Sequence, residues 1–324
     1  MSSFISVPAA SSSAVPQPEQ HSEPPSLKED GQNQDQIRKE WKKHIPKPKL
    51  RLHADELRHP AVSSFFVFIP DLASTLDIAL WNIVKYLYTV PEYNSPTGES
   101  GKHFKRPYFH PSIPGTRSVT VFLRNFDGVA YTLGTELDND HKEIHLSLPY
   151  IKHCMDSAAS ADPVCELTGV LTHELVHCYQ HTSPPRNDGK ETKDIPNPPG
   201  GLIEGIADFV RLKADLSPPH WKRPTSSNER EKKWDAGYQH TAYFLAWIEG
   251  EWAGEGAIGM LNDQLLRVGY EDGDGEHGKG VGFWRGLFGV TVDELWDEYG
   301  KYLDGYEDDE KKTKGNWEEE IVNP

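Results

Sequence analysis

The order of hydrophobic patterns along the chain predicts an α+β fold in one domain that spans residues 49–306. Most segments with strand periodicity lie before residue 151, and the segments after it show helical periodicity. Strands that precede helices, instead of alternating with them, are typical of an α+β domain. Polar segments flank this region on both sides. We therefore expect an N-terminal mixed β-sheet with helices, followed by a mainly helical part.

Two segments open the predicted domain. The apolar run VSSFFVFIP (62–70) predicts a buried strand. The segment LASTLDIALWNIVKYLYTV (72–90) has apolar residues at helical spacing and a Ser/Thr/Asp start, which predicts a helix.

Alternating segments then predict the rest of the sheet. SVTVFLRN (118–125) alternates apolar and polar residues, and GVAYTLG (128–134) follows a turn signal, so a hairpin is predicted. KEIHLSLPYI (142–151) alternates again. It is predicted to be an edge strand because Pro149 lacks a backbone donor.

Helical periodicity dominates the remainder of the domain. The predicted helices cover about residues 161–181, 202–215, 236–252, 256–268 and 291–304. The last one begins with Thr291 and Glu294, which have the spacing of a capping box. Trp247, Trp284 and Trp296 are predicted to belong to the core.

The two ends of the chain have a different composition. Residues 1–48 are rich in Ser, Pro, Gln, Glu and Lys, and residues 307–324 form an acidic tail. Such segments bury too little apolar surface to offset the entropy of ordering. We expect both to be disordered.

Charge and cysteine content exclude several classes of protein. Lys+Arg 34 against Asp+Glu 50 gives a net charge of −16, which disfavours binding to nucleic acid. Cys154, Cys165 and Cys178 are an odd number without the spacing of a zinc site, which disfavours a disulfide framework. There is no recognisable signal peptide and no apolar stretch of the ~20 residues that a membrane span needs. We expect a cytoplasmic monomer without a membrane partner, although an unconventional export route would leave no mark in the sequence.

The segment LTHELVHCYQH (171–181) contains the pattern H-E-x-x-H on a predicted helix. Residues four apart on a helix are offset by about 40° around the axis and about 6 Å along it. His173 and His177 can therefore reach one metal ion. Glu174 lies one step around the helix, where its carboxylate can take a proton from an attacking water. The pattern predicts a zinc site with a general base.

A catalytic zinc usually has three protein ligands, so a third is required. His181 lies eight residues beyond His173, about 12 Å along an unbroken helix, which is too far. The metzincin pattern is also absent, since Gln180 and Ser183 occupy its final Gly and His positions. His181 is more simply a helix-end histidine whose partial positive charge suits the helix dipole.

The segment GGLIEGIADFVRLKAD (200–215) offers a better third ligand. Glu204 and Asp208 are four residues apart on an otherwise apolar helix, where buried carboxylates need partners. Glu204 as the ligand and Asp208 as the acceptor of a ligating histidine's free N–H would satisfy both. The reverse assignment, with Asp208 ligating and Glu204 supporting, stays open. The polar segment between the two helices (182–201) is predicted to be a surface loop.

Taken together, these segments resemble the plant basic secretory protein family, also called the peptidases of plants and bacteria. The resemblance covers roughly residues 50–304, and its most specific parts are H-E-x-x-H-x-x-Q and G-L-I-E-G-I-A-D-[FY]-V-R. Further matching segments are RLHADELRHPAVSSFFVF, SVTVFLRNFDGVAYTLG, DNDHKEIHLSLPYI, GYQHTAYFLAWIE and TVDELWDEY.

The resemblance implies a zincin-like, Zn²⁺-dependent peptidase acting on peptide or protein substrates. By position, His173, His177 and Glu204 are implied as gluzincin-type zinc ligands, Glu174 as the general base and Asp208 as the residue that supports a histidine. The segment EIHLSLPYI is implied as the edge strand that receives the substrate as an added strand. The acidic composition and the lack of a signal depart from the secreted members.

The remaining candidates are weaker. Tyr238 is a candidate to stabilise the oxyanion, although packing onto the following helix is as good an explanation. His240 stands near it without an assigned role, and Cys178 is predicted to be a buried, inert thiol. The loop at 269–280 lacks the spacing of a calcium site. Two alternatives to a peptidase stay open: a zinc-binding interaction or defence-related protein without turnover, and a metal-free fold.

Overall fold

A computed structural model describes residues 45–90, 109–135, 137–156, 162–184, 196–271 and 282–305. Almost all of the N-terminal segment and the whole acidic tail, both predicted to be disordered, lie outside these ranges. Much of the loop predicted at 182–201 and most of the loop at 269–280 lie outside them as well.

A four-stranded mixed sheet forms the N-terminal part of the described structure. Its strands are β1 (Lys49–Ala54), β2 (Ser118–Arg124), β3 (Ala130–Thr135) and β4 (Asp138–Ser147). Their order across the sheet is β1-β2-β4-β3. β1, β2 and β4 run parallel to one another, and β3 runs antiparallel to β4. β1 was not predicted from the sequence.

The observed pairing corrects two predictions about this sheet. The segments at 118–125 and 128–134 are strands, but they do not form a hairpin, because β4 lies between them. The predicted edge strand at 142–151 is the inner strand β4, which pairs with β2 on one side and with β3 on the other. Pro149 does not interrupt the hydrogen bonds of the sheet, because it lies in the first turn of the helix Leu148–Asp156. A backbone N–H is not needed at that position of a helix. β3, which among the described strands pairs only with β4, is the edge strand at this end of the sheet.

The predicted strand at 62–70 is also wrong, since Pro60–Phe68 forms a helix. His59 caps the helix by accepting a hydrogen bond from the Ala61 N–H, and Pro60 occupies the first turn. Ala61, Val62 and Phe65 are buried while Val67 is exposed, which is the pattern of one helical face. The periodicity of a short apolar run does not distinguish a strand from a helix. In this segment the cap at His59 favours the helix.

All the regular elements described after Ser147 are helices. The described helices are α1 (Pro60–Phe68), α2 (Leu72–Leu87), α3 (Leu148–Asp156), α4 (Pro163–Tyr179), α5 (Gly200–Lys213), α6 (Tyr238–Trp247), α7 (Ala257–Arg267), α8 (Phe283–Phe288) and α9 (Val292–Gly305), with a π-helical turn at Ile248–Ala253 continuing α6. The helix predicted at 72–90 and the five predicted after residue 160 are confirmed, whereas α3 and α8 were not predicted. The capping box is confirmed, since Thr291 N–H donates to Glu294 Oε2 and Glu294 N–H donates to Thr291 Oγ1.

One continuous hydrophobic cluster joins the sheet to the helices. The sheet contributes alternate residues such as Val121 and Ile144 from its inner face. The C-terminal helices contribute the tryptophans Trp247, Trp284 and Trp296, all buried as predicted. In the described parts of the chain no single helix has the length and apolar composition of a membrane span, and α1 and α2 meet these criteria only as a pair bent by 59°. Helix α4 crosses the middle of this core and contacts α2, α5 and β3.

Candidate metal centre

Helix α4 presents the H-E-x-x-H pattern from a fixed position in the core. Asp162 caps the helix by accepting hydrogen bonds from the backbone N–H groups of Val164 and Cys165. Neighbouring elements cover α4 so extensively that His173 and Glu174 are buried. Polar groups in such a position require partners. The partners come from α5 and from the edge strand β3.

Three side chains from α4 and α5 converge on one point. Nε2 of His173 lies 3.1 Å from Nε2 of His177 and 3.1 Å from Oε2 of Glu204. Nε2 of His177 lies 3.6 Å from the same carboxylate oxygen. Among the described residues, His173, His177 and Glu204 form a group whose donor atoms all lie within 4.8 Å of one another, close enough to hold a metal ion.

Asp208 lies behind His173 rather than in the cluster. Nδ1 of His173 donates to Oδ1 of Asp208 over 2.6 Å, and Asp208 is almost fully buried. This bond leaves Nε2 of His173 facing His177 and Glu204. Of the two assignments that the sequence left open, the geometry favours Glu204 in the cluster and Asp208 in support.

The electrostatics of the cluster favour a positive charge. Burial by itself would lower the pKa of His173, but hydrogen bonds to Asp208 and Glu204 raise it to about 9. Burial would likewise raise the pKa of Glu204, but the two histidines lower it to about 2. Both shifts stabilise a protonated, positively charged His173 beside ionised carboxylates.

Glu174 has a partner that the sequence did not reveal. Oγ1 of Thr132, on β3, lies 2.7 Å from Oε2 of Glu174 and 2.9 Å from its backbone carbonyl oxygen. A signal was present in the predicted strand 128–134, where Thr132 is the polar residue between Tyr131 and Leu133. The contact requires β3 to lie beside α4, and the alternation of the strand does not predict that neighbour.

Tyr238 lies beside the cluster at the start of α6. Its ring stacks on that of His173, with centroids 6.1 Å apart and planes inclined by 16°. Gly237 and Tyr238 both have positive φ, 87° and 47°, so the chain turns sharply at this point. The side chain is more than half exposed, and the negative charge of Glu204 raises its pKa. The structure therefore brings Tyr238 to the site and leaves its ring accessible.

Three other candidates lie apart from the cluster. His181 follows the end of α4, and its Nε2 donates to the carbonyl oxygen of Ser112 over 2.8 Å. Burial lowers the pKa of His181, which disfavours the positive charge expected at a helix end. Nε2 of His240 lies 3.8 Å from the Glu231 carboxylate. Cys178 is buried, as predicted, and burial raises the pKa of its thiol, so the reactive thiolate is disfavoured.

Comparison with known proteins agrees with the resemblance noted in the sequence. The curated proteins and the solved structures gave no match to the chain. A family model described as "Peptidase of plants and bacteria" matches residues 47–299, well over half of the 324 residues. The match includes all four strands of the sheet, helices α4 and α5, and Tyr238. The chain therefore belongs to the family of peptidases of plants and bacteria.

Proposed function

We propose that this peptidase is zinc-dependent and that it hydrolyses peptide bonds at the cluster of His173, His177 and Glu204. The observation that carries the proposal is the convergence of these three donors beside the carboxylate of Glu174. Peptide or protein substrates follow from the family. The metal, the ligands and the roles of individual residues are inferred from the geometry.

The donor set suits zinc in kind and in spacing. Two neutral imidazoles and one carboxylate are a common ligand set of catalytic zinc, which leaves one position for water or substrate. Bonds of about 2.0–2.1 Å in a tetrahedral site place neighbouring donor atoms about 3.3–3.4 Å apart. The observed separations of 3.1, 3.1 and 3.6 Å lie close to that value.

Each residue of the site then has a chemical task. Bound zinc would lower the pKa of a water and polarise the scissile carbonyl. Glu174 accepts the proton of the attacking water and returns it to the leaving amine. The hydroxyl of Thr132 holds one oxygen of that carboxylate, and Tyr238 is the donor available from the open side for the oxyanion.

The free edge of β3 offers a binding surface for an extended peptide. Because β3 is the terminal strand and Thr132 on it contacts Glu174, a substrate strand added to this edge would lie along the catalytic carboxylate. This replaces the role first expected of EIHLSLPYI, which belongs mainly to the inner strand β4. A peptide on β3 would be held by main-chain hydrogen bonds, and pockets for its alternate side chains would determine specificity.

The decisive experiment is Glu174→Gln. We expect the variant to keep about one zinc per chain while peptidase activity falls at least ~10²-fold, because general acid–base catalysis contributes that much or more. Zinc is measured by elemental analysis and activity by mass spectrometry of cuts in a diverse peptide library. The matched control is Glu298→Gln on α9, an exposed glutamate that should change neither quantity.

The outcomes separate the alternatives. Undiminished activity of Glu174→Gln would remove Glu174 as the base. A wild-type protein that holds zinc but cleaves no peptide would support the zinc-binding protein without turnover. Less than about a tenth of a zinc ion per chain, after zinc supply, would support the metal-free fold.

A further inference from the structure

Gln180 is the C-cap residue of α4, the helix that carries His173 and His177, and its side chain contacts His177. The backbone N–H of Gln180 donates to the Val176 carbonyl and ends α4, and its extended φ and ψ, −71° and 150°, take the chain out of the helix. The side chain turns back so that Nε2 of Gln180 lies 2.9 Å from Nδ1 of His177. This contact is on the ring nitrogen that faces away from Glu204 and His173.

The described structure leaves the other end of the Gln180 amide without a hydrogen bond. Its Oε1 is buried and has no hydrogen-bond partner within the described structure. A primary amide has an acceptor at one position and donors at the other, and the two have nearly the same shape. A half-turn would place Oε1 where Nε2 now lies, 2.9 Å from Nδ1 of His177. The state of the histidine therefore decides which end of the amide faces it.

The tautomer of His177 determines whether Gln180 must donate or accept a hydrogen bond. If the amide nitrogen donates to Nδ1, a neutral imidazole carries its proton on Nε2. A protonated Nε2 has no lone pair for a metal, yet this is the nitrogen that faces Glu204, 3.6 Å away. Ligation through Nε2 requires the proton on Nδ1, and that N–H then needs an acceptor.

We propose that Gln180 is a positioning residue that accepts a hydrogen bond from Nδ1–H of His177 through Oε1 when His177 ligates the metal. The inference rests on the proposed function, which makes His177 a ligand. It gives both histidines the same support: Asp208 accepts from His173 across the α4–α5 contact, and Gln180 accepts from His177 at the end of its own helix. Gln180 touches neither substrate nor metal, and acts through the ring it orients.

The test compares two near-isosteric variants with the wild type. Gln180→Leu removes the acceptor, and Gln180→Glu keeps an acceptor at the same distance. Loss of such a partner typically costs 10–100-fold in metal affinity or activity. We expect Gln180→Leu to raise the Kd for zinc about 10–100-fold, and Gln180→Glu to stay within a few-fold of the wild type.

The measurements are chosen to separate this inference from the proposed function. The Kd for zinc is obtained by competition with a chelator, and the tautomer of His177 by ¹⁵N NMR of the zinc-loaded wild type, which should show the proton on Nδ1. The melting temperature in excess chelator checks that both variants keep the fold. If Gln180→Leu fails to fold, the wild-type NMR spectrum and the affinity of Gln180→Glu still decide.

Three results would overturn the inference. The first is equal zinc affinity of wild type and Gln180→Leu, and the second is a proton on Nε2 of His177 in the zinc-loaded wild type. The third is a Gln180→Glu variant that binds zinc as weakly as Gln180→Leu. In each of these the wild type still binds zinc, so the proposed function survives. A wild type without zinc affinity would overturn both.

Discussion

A single hydroxyl connects the edge of the sheet to the base of the proposed reaction. Thr132 is half-buried on β3, and its Oγ1 lies 2.7 Å from Oε2 of Glu174. A hydrogen bond to a charged group contributes about 1.5–3 kcal/mol. In the proposed reaction this bond would hold one oxygen of the carboxylate and leave the other for the attacking water.

Thr132→Val removes this hydroxyl and keeps the branched shape of the side chain. We expect kcat to fall about 10- to 100-fold, which corresponds to the loss of one charge-assisted bond. KM should change little, because the backbone of β3 is unaltered. Steady-state kinetics on a defined peptide, once one is known, separates the two constants.

The matched control is Thr132→Ser, which keeps the hydroxyl and loses only a methyl group. It should retain most of the kcat of the wild type. A serine variant as slow as the valine variant would point to packing, and a valine variant with full kcat would show that the contact has no part in catalysis.

Local spacing was enough to predict which side chains of the two helices come together, but not the contacts that Thr132 and Gln180 make with them. His173, Glu174 and His177 share one helix, and Glu204 and Asp208 share another at i, i+4, so their relative positions follow from helical geometry. Thr132 reaches Glu174 across 42 positions of sequence, and such a contact follows from tertiary packing alone. The contact of Gln180 with His177 depends on where α4 ends.

At the scale of elements, glycines allow α5 to approach the start of α6. A Cβ on Gly201 would lie 1.8 Å from the backbone oxygen of Asp235, and a Cβ on Gly205 would lie 2.3 Å from Cγ2 of Thr241. Close backbone contact of this kind has no room for a side chain. It holds the 235–238 segment, and with it Tyr238, against the helix that carries Glu204.

Gly201→Ala should therefore destabilise the protein although alanine favours helices. Backbone cannot give way as a flexible side chain can, so we expect a loss of about 1–3 kcal/mol or more in the free energy of unfolding. Urea denaturation measures it. Gly200→Ala is the matched control, because a Cβ there meets nothing within 4 Å, and it should be close to neutral.

One result would contradict this prediction about Gly201. Equal stability of the Gly201 and Gly200 variants would mean that the two segments separate at little cost. The zinc affinity of Gly201→Ala adds a second readout, because a displaced Glu204 would weaken the metal centre together with the fold.

The errors in the predicted elements come from tertiary contacts that a local pattern does not encode. β2 and β3 were each recognised from their alternation, but alternation reports which faces are buried and not which strand lies alongside. β4 was assigned to an edge because of Pro149, a residue that belongs to α3. For α1, strong β-formers such as Val62 and Phe65 were overridden by the cap at His59 and by packing against α3.

At the scale of the whole molecule, one buried carboxyl group outside the candidate site affects stability. Glu249, in the π-helical turn, is almost fully buried, with Oε1 3.7 Å from Nζ of Lys213. The backbone N–H of Ile258 donates to its other oxygen over 3.4 Å. Burial, opposed by Lys213 and reinforced by the charge of Glu255, raises the pKa of Glu249 to about 7.

This raised pKa makes global stability depend on pH in a defined direction. The carboxyl binds its proton more tightly in the folded protein than in the unfolded chain, where the pKa is about 4.3. Its contribution to the free energy of unfolding is fully present below that value and is lost as the pH rises to about 7. Between pH 5 and pH 8 the loss is roughly 2–3 kcal/mol.

Glu249→Gln should remove this dependence, because the amide stays neutral throughout. We expect the free energy of unfolding of the variant to fall less between pH 5 and pH 8 than that of the wild type, and the variant to be the more stable of the two at pH 8. Urea denaturation at both pH values, with chelator present throughout, measures the difference while the histidines contribute equally to both proteins. Glu231→Gln, at a half-exposed glutamate, serves as the control and should follow the wild type. If wild type and Glu249→Gln lost stability in parallel, the buried carboxyl beside Lys213 would be ionised in the folded protein across the whole range, and the pair would be a permanent salt bridge.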